Sequence, residues 1–284
     1  TGLTNYCHSC LIMQKLLSFP LRRQPSQTLK EVSVSESTPV FQNPESEGGS
    51  FFWPGRNDKH TAILLFHGFT ATTVEVRPLA SFFHTLGYHV SGPLLPGHGV
   101  SPEELNRVNY QDWIDKAEFA YQQLAGQYEK VFVCGESMGG LLTLWLASEH
   151  PEINGIMVFA PALKIPNLWL SGLLWPFIKF RLKNNVDLSS PWQGFNVVPM
   201  RAASQLFRLQ RKIRNKLSDV RVPLMVFQGK LDVTIDPMGA VDVLEKVSTD
   251  DKEMVWLEES SHCILLDRQL DLVQKLSLDF ISKN

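Results

Sequence analysis

Ser137, Asp232 and His262 have the types, order and surroundings that nucleophilic acyl chemistry requires. Ser137 lies in Gly135-Glu136-Ser137-Met138-Gly139, directly after the apolar run Val131-Phe132-Val133-Cys134 and before the helix-like Leu141-Leu142-Thr143-Leu144-Trp145-Leu146-Ala147. A serine at so sharp a strand-to-helix turn has a strained backbone, so the positions two before and two after it must be tiny for strand and helix to approach. Gly135 and Gly139 meet that demand. The bare Gly-x-Ser-x-Gly pattern also occurs in ordinary Gly-rich turns, so its weight rests on the flanking strand and helix.

A serine hydroxyl is a poor nucleophile until a base takes its proton, and that base needs a third group to orient it. In elbow-type hydrolases the partners follow in the order Ser, acid, His. His262 comes in the polar loop Glu258-Glu259-Ser260-Ser261-His262 after the last predicted strand, at the sheet edge where ligands bind in open α/β sheets. Asp232, in Gly229-Lys230-Leu231-Asp232 after the preceding strand, is favoured as the acid over Asp236, which Pro237 follows and which reads as a helix N-cap. Two backbone N–H groups must receive the oxyanion. Met138 supplies one, and the His67-Gly68-Phe69-Thr70 loop supplies the other through Phe69. His67 reads as a brace for that loop, and His98, in the turn Pro96-Gly97-His98-Gly99, as structural.

The elements that must position these residues alternate. Strands are predicted at Thr61–Phe66, Tyr88–Gly92, Lys130–Cys134, Ile153–Phe159, Pro223–Gln228 and Met254–Leu257, with helices at Val76–Leu86, Tyr110–Tyr128 and Gly140–Glu149. This rhythm argues for an α/β fold, a mostly parallel central sheet with helices on both faces. It breaks after Ala160-Pro161 for about sixty residues without a convincing strand, a length rare for a structureless loop, so residues 162–219 read as an inserted, mainly helical cap. The core is then residues 51–161 and 220–284, preceded by a partly irregular extension over 1–50 with at most an edge strand at Val32-Ser33-Val34.

With 284 residues, 44% hydrophobic and 20% charged, at a net charge of −2, the composition is that of an ordinary globule and gives no sign of nucleic acid as a partner. Cys7, Cys10, Cys134 and Cys263 do not form a disulfide framework, and Cys7-His8-Ser9-Cys10 lacks the second pair a metal site would need. No secretory leader or bilayer-spanning run is read, which makes a cytoplasmic location the default. The cap is different. Between Ala162 and Ser218 it holds ten basic residues against one acidic residue, Asp187, together with Trp169, Leu173, Trp175 and Phe177. The simpler reading packs these apolar side chains, with Phe69, over Ser137 as an acyl pocket. A sharper one adds peripheral contact between the cap and an anionic lipid interface.

Together, His67-Gly68-Phe69-Thr70, Pro96-Gly97-His98-Gly99-Val100 with Pro102-Glu103-Glu104-Leu105, the Ser137 elbow, the Asp232 loop and Ser261-His262 resemble the microbial carboxylesterases and monoacylglycerol lipases of the α/β-hydrolase superfamily. The resemblance runs from Ala62 to the C-terminus, with the cap matching only in position. It implies Ser137, Asp232 and His262 as the triad, Phe69 and Met138 as oxyanion donors, a small ester or acylglycerol substrate, and no metal or organic cofactor. Fold and triad do not fix the substrate, so a C–C bond hydrolase, an acyltransferase and a non-catalytic ligand receptor are the competing readings.

Overall fold

The computed structural model describes residues 41–56, 60–183 and 188–284. The Val32–Val34 strand, Cys7, Cys10 and Asp187 lie outside the described residues. Among the described residues the central sheet has seven strands: β2 (Phe51–Trp53), β3 (Thr61–Phe66), β4 (His89–Gly92), β5 (Lys130–Glu136), β6 (Gly155–Phe159), β10 (Leu224–Gly229) and β11 (Lys252–Leu257). They stand in the order β11-β10-β6-β5-β3-β4-β2, all neighbours parallel except β2, which runs antiparallel to β4 at the edge. Parallel strands need crossovers, and these are the helices α1 (Arg77–Thr85), α3 (Tyr110–Ala125), α4 (Met138–Glu149) and α7 (Met238–Lys246), with α8 (Leu270–Lys283) closing the chain. The short α2 (Pro102–Arg107) begins on Ser101, whose Oγ accepts from Glu104 N–H at 3.1 Å.

Both faces of the sheet are covered, and the strand sequences explain why. Along β3, Ile63 and Leu65 enter one core with Phe132, Phe159, Phe227 and Phe83, while Leu64 and Phe66 enter the other with Val133, Trp113, Leu141 and Val226. Period-2 alternation with both sets apolar is the signature of a strand buried on two sides. Helix α4 is buried from Met138 to Ala147, apolar all round as a central helix must be.

Between β6 and β10 the longest element is α6 (Met200–Arg214), preceded by the four-residue α5 (Ser171–Leu174). This stretch also holds strands that the sequence pattern did not show. β7 (Phe180–Leu182) pairs antiparallel with β9 (Val197–Pro199), and β8 (Gly194–Phe195) with β1 (Phe41–Gln42). Residues 41–49, read above as extension, are thereby tied to this segment: Asn43 Nδ2 donates to the carbonyls of Ser190 and Trp192, and Gln193 Nε2 to those of Asn43 and Ser46. Among the described residues no helix is long and apolar enough to cross a membrane.

Candidate active site

The elbow is held by sterics. Ser137 has φ 56° and ψ −112°, a conformation that costs a non-glycine residue on the order of 1–3 kcal/mol. A Cβ on Gly135 would stand 2.2 Å from the carbonyl oxygen of Gly139, and one on Gly139 would stand 2.1 Å from that of Phe66. The turn is also pinned from β6, where Ser137 N–H donates to the Phe159 carbonyl at 2.8 Å.

Around Ser137 the three loops converge. Ser137 Oγ is 3.0 Å from His262 Nε2, and His262 Nδ1 is 2.8 Å from Asp232 Oδ2. The Asp232 carboxylate is itself fixed: Oδ1 accepts from Thr234 N–H and Ile235 N–H at 2.8 and 3.1 Å, and Oδ2 also accepts from Gln228 Nε2 at 3.1 Å. Burial works to raise this carboxyl, but the hydrogen bond and charge of His262 and the two backbone N–H groups outweigh it, so the net shift is downward. An ionised Asp232 accepts from Nδ1–H, which leaves Nε2 as the acceptor facing Ser137. Asp236 is elsewhere occupied. It accepts from Met238 N–H at 2.9 Å and pairs with Lys164 at 2.8 Å.

Phe69 and Met138 carry N–H groups with no hydrogen-bond partner among the described residues. Met138 opens α4, where the helix dipole adds partial positive charge. The aim of Phe69 N–H is set through the other end of its own peptide. The Gly68 carbonyl accepts from His67 Nδ1 at 2.9 Å and from Ala71 N–H at 3.3 Å, and in a trans peptide the following N–H points the opposite way. His67 Nε2 accepts in turn from Leu95 N–H at 3.0 Å, and burial pushes the imidazole down to about 4, so it braces the loop as a neutral ring. His98 packs edge-on against His67 at 4.9 Å and hydrogen-bonds to the Pro96 carbonyl.

Two buried acids stand behind these loops, and sequence reasoning missed both. Glu75 follows the His67–Thr70 loop in the 3-10 turn Thr73–Glu75, and Glu136 precedes Ser137. Burial raises both carboxyls, Glu136 further because Glu75 is close; Glu136 Oε1 accepts from Leu265 N–H and steadies the turn after His262. The one available signal for Glu75 was its place in Thr73-Val74-Glu75-Val76, an acid between two β-branched apolar residues.

The sequence reading places four cap residues over Ser137. Trp169, Leu173, Trp175 and Phe177 are 53, 62, 40 and 86% exposed and do not form a buried lining, whereas Phe69 packs against the core. Residues 168–174 are one 3-10 turn and the four-residue α5, of which only Ser171 is buried, whereas α6 buries an apolar stripe of its own. Much of the basic excess is consumed within the fold. Lys164 pairs with Asp236, Lys216 with Glu149 and Asp219, Lys212 lies over Trp145, and Arg201 and Arg214 donate to backbone carbonyls. Lys179 and Arg181 stay exposed beside the apolar stretch.

Known proteins are similar to this chain in sequence and fold. Residues 57–269 match the family described as serine aminopeptidase, S33. A thermostable monoacylglycerol lipase of Bacillus sp. (strain H-257) is 34% identical over 227 residues, covering 78% of this chain and 90% of its own. A carboxylesterase of Bacillus subtilis is likewise 34% identical, covering 78% of this chain and 92% of its own. A solved structure from a study of two metagenome-derived lipolytic enzymes superposes with a TM-score of 0.79 at 28% identity, over 84% of this chain and 98% of that one. With the matched residues spanning most of its length, and with the sheet order and elbow described above, this chain belongs to the serine aminopeptidase S33 family of α/β-hydrolases.

Proposed function

We propose that this α/β-hydrolase is an ester-cleaving serine hydrolase of the carboxylesterase or monoacylglycerol lipase kind, with Ser137 as nucleophile, His262 as base and Asp232 as the acid that orients it. The observation carrying this reading is the pair of contacts at 3.0 and 2.8 Å that join the three side chains in the order a proton relay needs. As Ser137 Oγ attacks the ester carbonyl, its proton passes to His262 Nε2, and the imidazolium is stabilised by Asp232. The tetrahedral oxyanion is received by Phe69 N–H and Met138 N–H. His262 then gives the proton to the departing alcohol, leaving Ser137 acylated, and a water activated by the same imidazole releases the acid.

The relatives named as monoacylglycerol lipase and carboxylesterase support an uncharged acyl chain on a small alcohol. The exposed rim supports the same class: besides the cap residues, Leu231 and Val233 on the acid loop are 57 and 89% exposed, an apolar border suited to acyl chains. The same border, with Lys179 and Arg181, supports peripheral docking of residues 162–219 on anionic lipid. Two cations near such a surface contribute about 2 kcal/mol and each inserted aromatic roughly as much again. Nitrophenyl esters of graded chain length, a monoacylglycerol, a triacylglycerol and an aminoacyl nitroanilide test the substrate class. We expect the esters and the monoacylglycerol to be cleaved and the nitroanilide to be spared. Turnover of the nitroanilide with no turnover of any ester would overturn the reading.

A further inference from the structure

Directly beneath the oxyanion loop lies a carboxylate that the relay does not use. Glu75, only 3% exposed, receives Gly68 N–H on Oε2 at 2.5 Å, and its Oε1 accepts from Trp192 Nε1 at 3.2 Å and faces Cys263 Sγ at 3.8 Å. All three partners are donors, and a carboxylate is an acceptor on every lone pair, so the site fits the side chain. Gly68 is wedged between this group and the nucleophile: a Cβ there would stand 2.9 Å from Glu75 Oε2 and 3.2 Å from Ser137 Cβ. Glu75 therefore sets how closely the Gly68 backbone approaches Ser137.

The loop it holds cannot relax freely. Thr70 has φ 67°, outside the range a β-branched residue adopts without strain, and is kept there by Lys183 Nζ donating to its Oγ1 at 2.6 Å and Phe195 N–H donating to its carbonyl at 2.9 Å. Lys183 lies over the Trp192 ring at 4.3 Å, so Lys183, Trp192 and Phe195 hold the outer side of the oxyanion loop while Glu75 holds the inner side. Two peptide groups meet at Gly68. Its carbonyl is fixed by His67 and Ala71, its N–H by Glu75, and the free Phe69 N–H follows from both.

We propose that Glu75 is a positioning residue for ester hydrolysis: by accepting from Gly68 N–H it holds the oxyanion loop against the Ser137 elbow and keeps Phe69 N–H aimed at the developing oxyanion. The proposal rests on the roles given to Ser137 and Phe69 above. What matters is an acceptor that reaches Gly68, not negative charge, since a bare charge beside an oxyanion would oppose it. Two conservative changes separate reach from charge. Glu75→Gln keeps the reach and loses the charge; Glu75→Asp keeps the charge and withdraws the acceptor by one methylene.

The test measures, on the full chain, kcat and KM for a short nitrophenyl ester, affinity for a trifluoromethyl ketone that forms a tetrahedral adduct, and fluorophosphonate labelling. Loss of a whole oxyanion donor costs on the order of 10²–10³ in kcat, so a misaimed one should cost on the order of 10–10². The expected result is that Glu75→Ala and Glu75→Asp lose that factor in kcat with KM nearly unchanged, that ketone affinity falls in parallel, and that Glu75→Gln recovers to within about tenfold of the native chain. All variants should still take one label per chain, since Ser137 and His262 are intact. A Glu75→Asp chain with native kcat, a Gln variant no better than Asp, or a lowered melting temperature with native kcat and ketone affinity would overturn the proposal. A native chain that takes no label would count against Ser137 itself, and against this inference with it.

Discussion

The loops at the carboxyl edge of the sheet and the segment between β6 and β10 treat their side chains in opposite ways. In the loops after β3, β5, β10 and β11, short connections bury polar groups among partners: Asp232 has four donors, Glu75 three, and the Ser137 elbow is fixed by backbone contacts from β6. Between residues 162 and 219 the opposite holds at the surface, where Leu173 and Phe177 are exposed with Lys179 and Arg181 beside them. A buried polar group left unpaired costs about 1–3 kcal/mol, whereas a single exposed apolar side chain costs little, so the first region suits the chemistry proposed above and the second the proposed contact with substrate or surface. The first should therefore respond to single-atom changes, and the second only to removal of whole side chains.

The largest response is expected at the acid. Asp232→Asn leaves the shape but turns the imidazole to the wrong tautomer, and turnover should drop by a factor on the order of 10³ to 10⁴. The same change alters acid stability. A carboxyl whose folded pKa lies below its ordinary value contributes stability above that ordinary value and loses it as pH falls through the folded one. The Asn variant lacks this contribution, so its melting temperature should decline less steeply than that of the native chain on acidification below about pH 4. A native-like acid profile in the Asn variant would remove the ionised Asp232 from the account.

A smaller response is expected at the surface segment. Replacing Phe177 and Trp169 together by Ser should weaken sedimentation with anionic vesicles by a factor on the order of 10²–10³, and raising salt should weaken the native chain's binding, while the short-ester rate stays within about twofold. Equal and negligible binding of the native chain to anionic and zwitterionic vesicles would leave the segment as a cover for substrate alone. The smallest effect belongs to Asp236→Asn. This carboxylate only caps a turn and pairs with exposed Lys164, so turnover should stay within about twofold. A loss there as large as at Asp232 would mean that the acid had been misassigned.

The elbow was readable in sequence because its glycines answer a steric demand that no other residue meets: a Cβ there would stand 2.1 and 2.2 Å from opposing carbonyl oxygens. The parallel sheet was readable because strands buried on two faces are apolar throughout. Asp232 and His262 followed from chain order after those strands. The pairings β7 with β9 and β1 with β8 were not readable, since two- and three-residue strands carrying Gly194 and Pro199 are too short to show a period. Glu75 was hidden for another reason: a glutamate in a short turn reads as surface, and only the fold brings Gly68, Trp192 and Cys263 around it. Trp169, Leu173, Trp175 and Phe177 were legible as an apolar group but not in direction, because composition does not say which way a short turn faces.

The central claim, that Ser137 is the nucleophile of an ester hydrolase, is tested most directly by a fluorophosphonate followed by mass analysis, run beside ester turnover on native and Ser137→Ala chains. The account predicts one adduct per native chain, on the peptide containing Ser137, and for the alanine chain no adduct and turnover lower by a factor on the order of 10⁶. An alanine chain that is labelled at the native rate, or that retains native turnover, would contradict it.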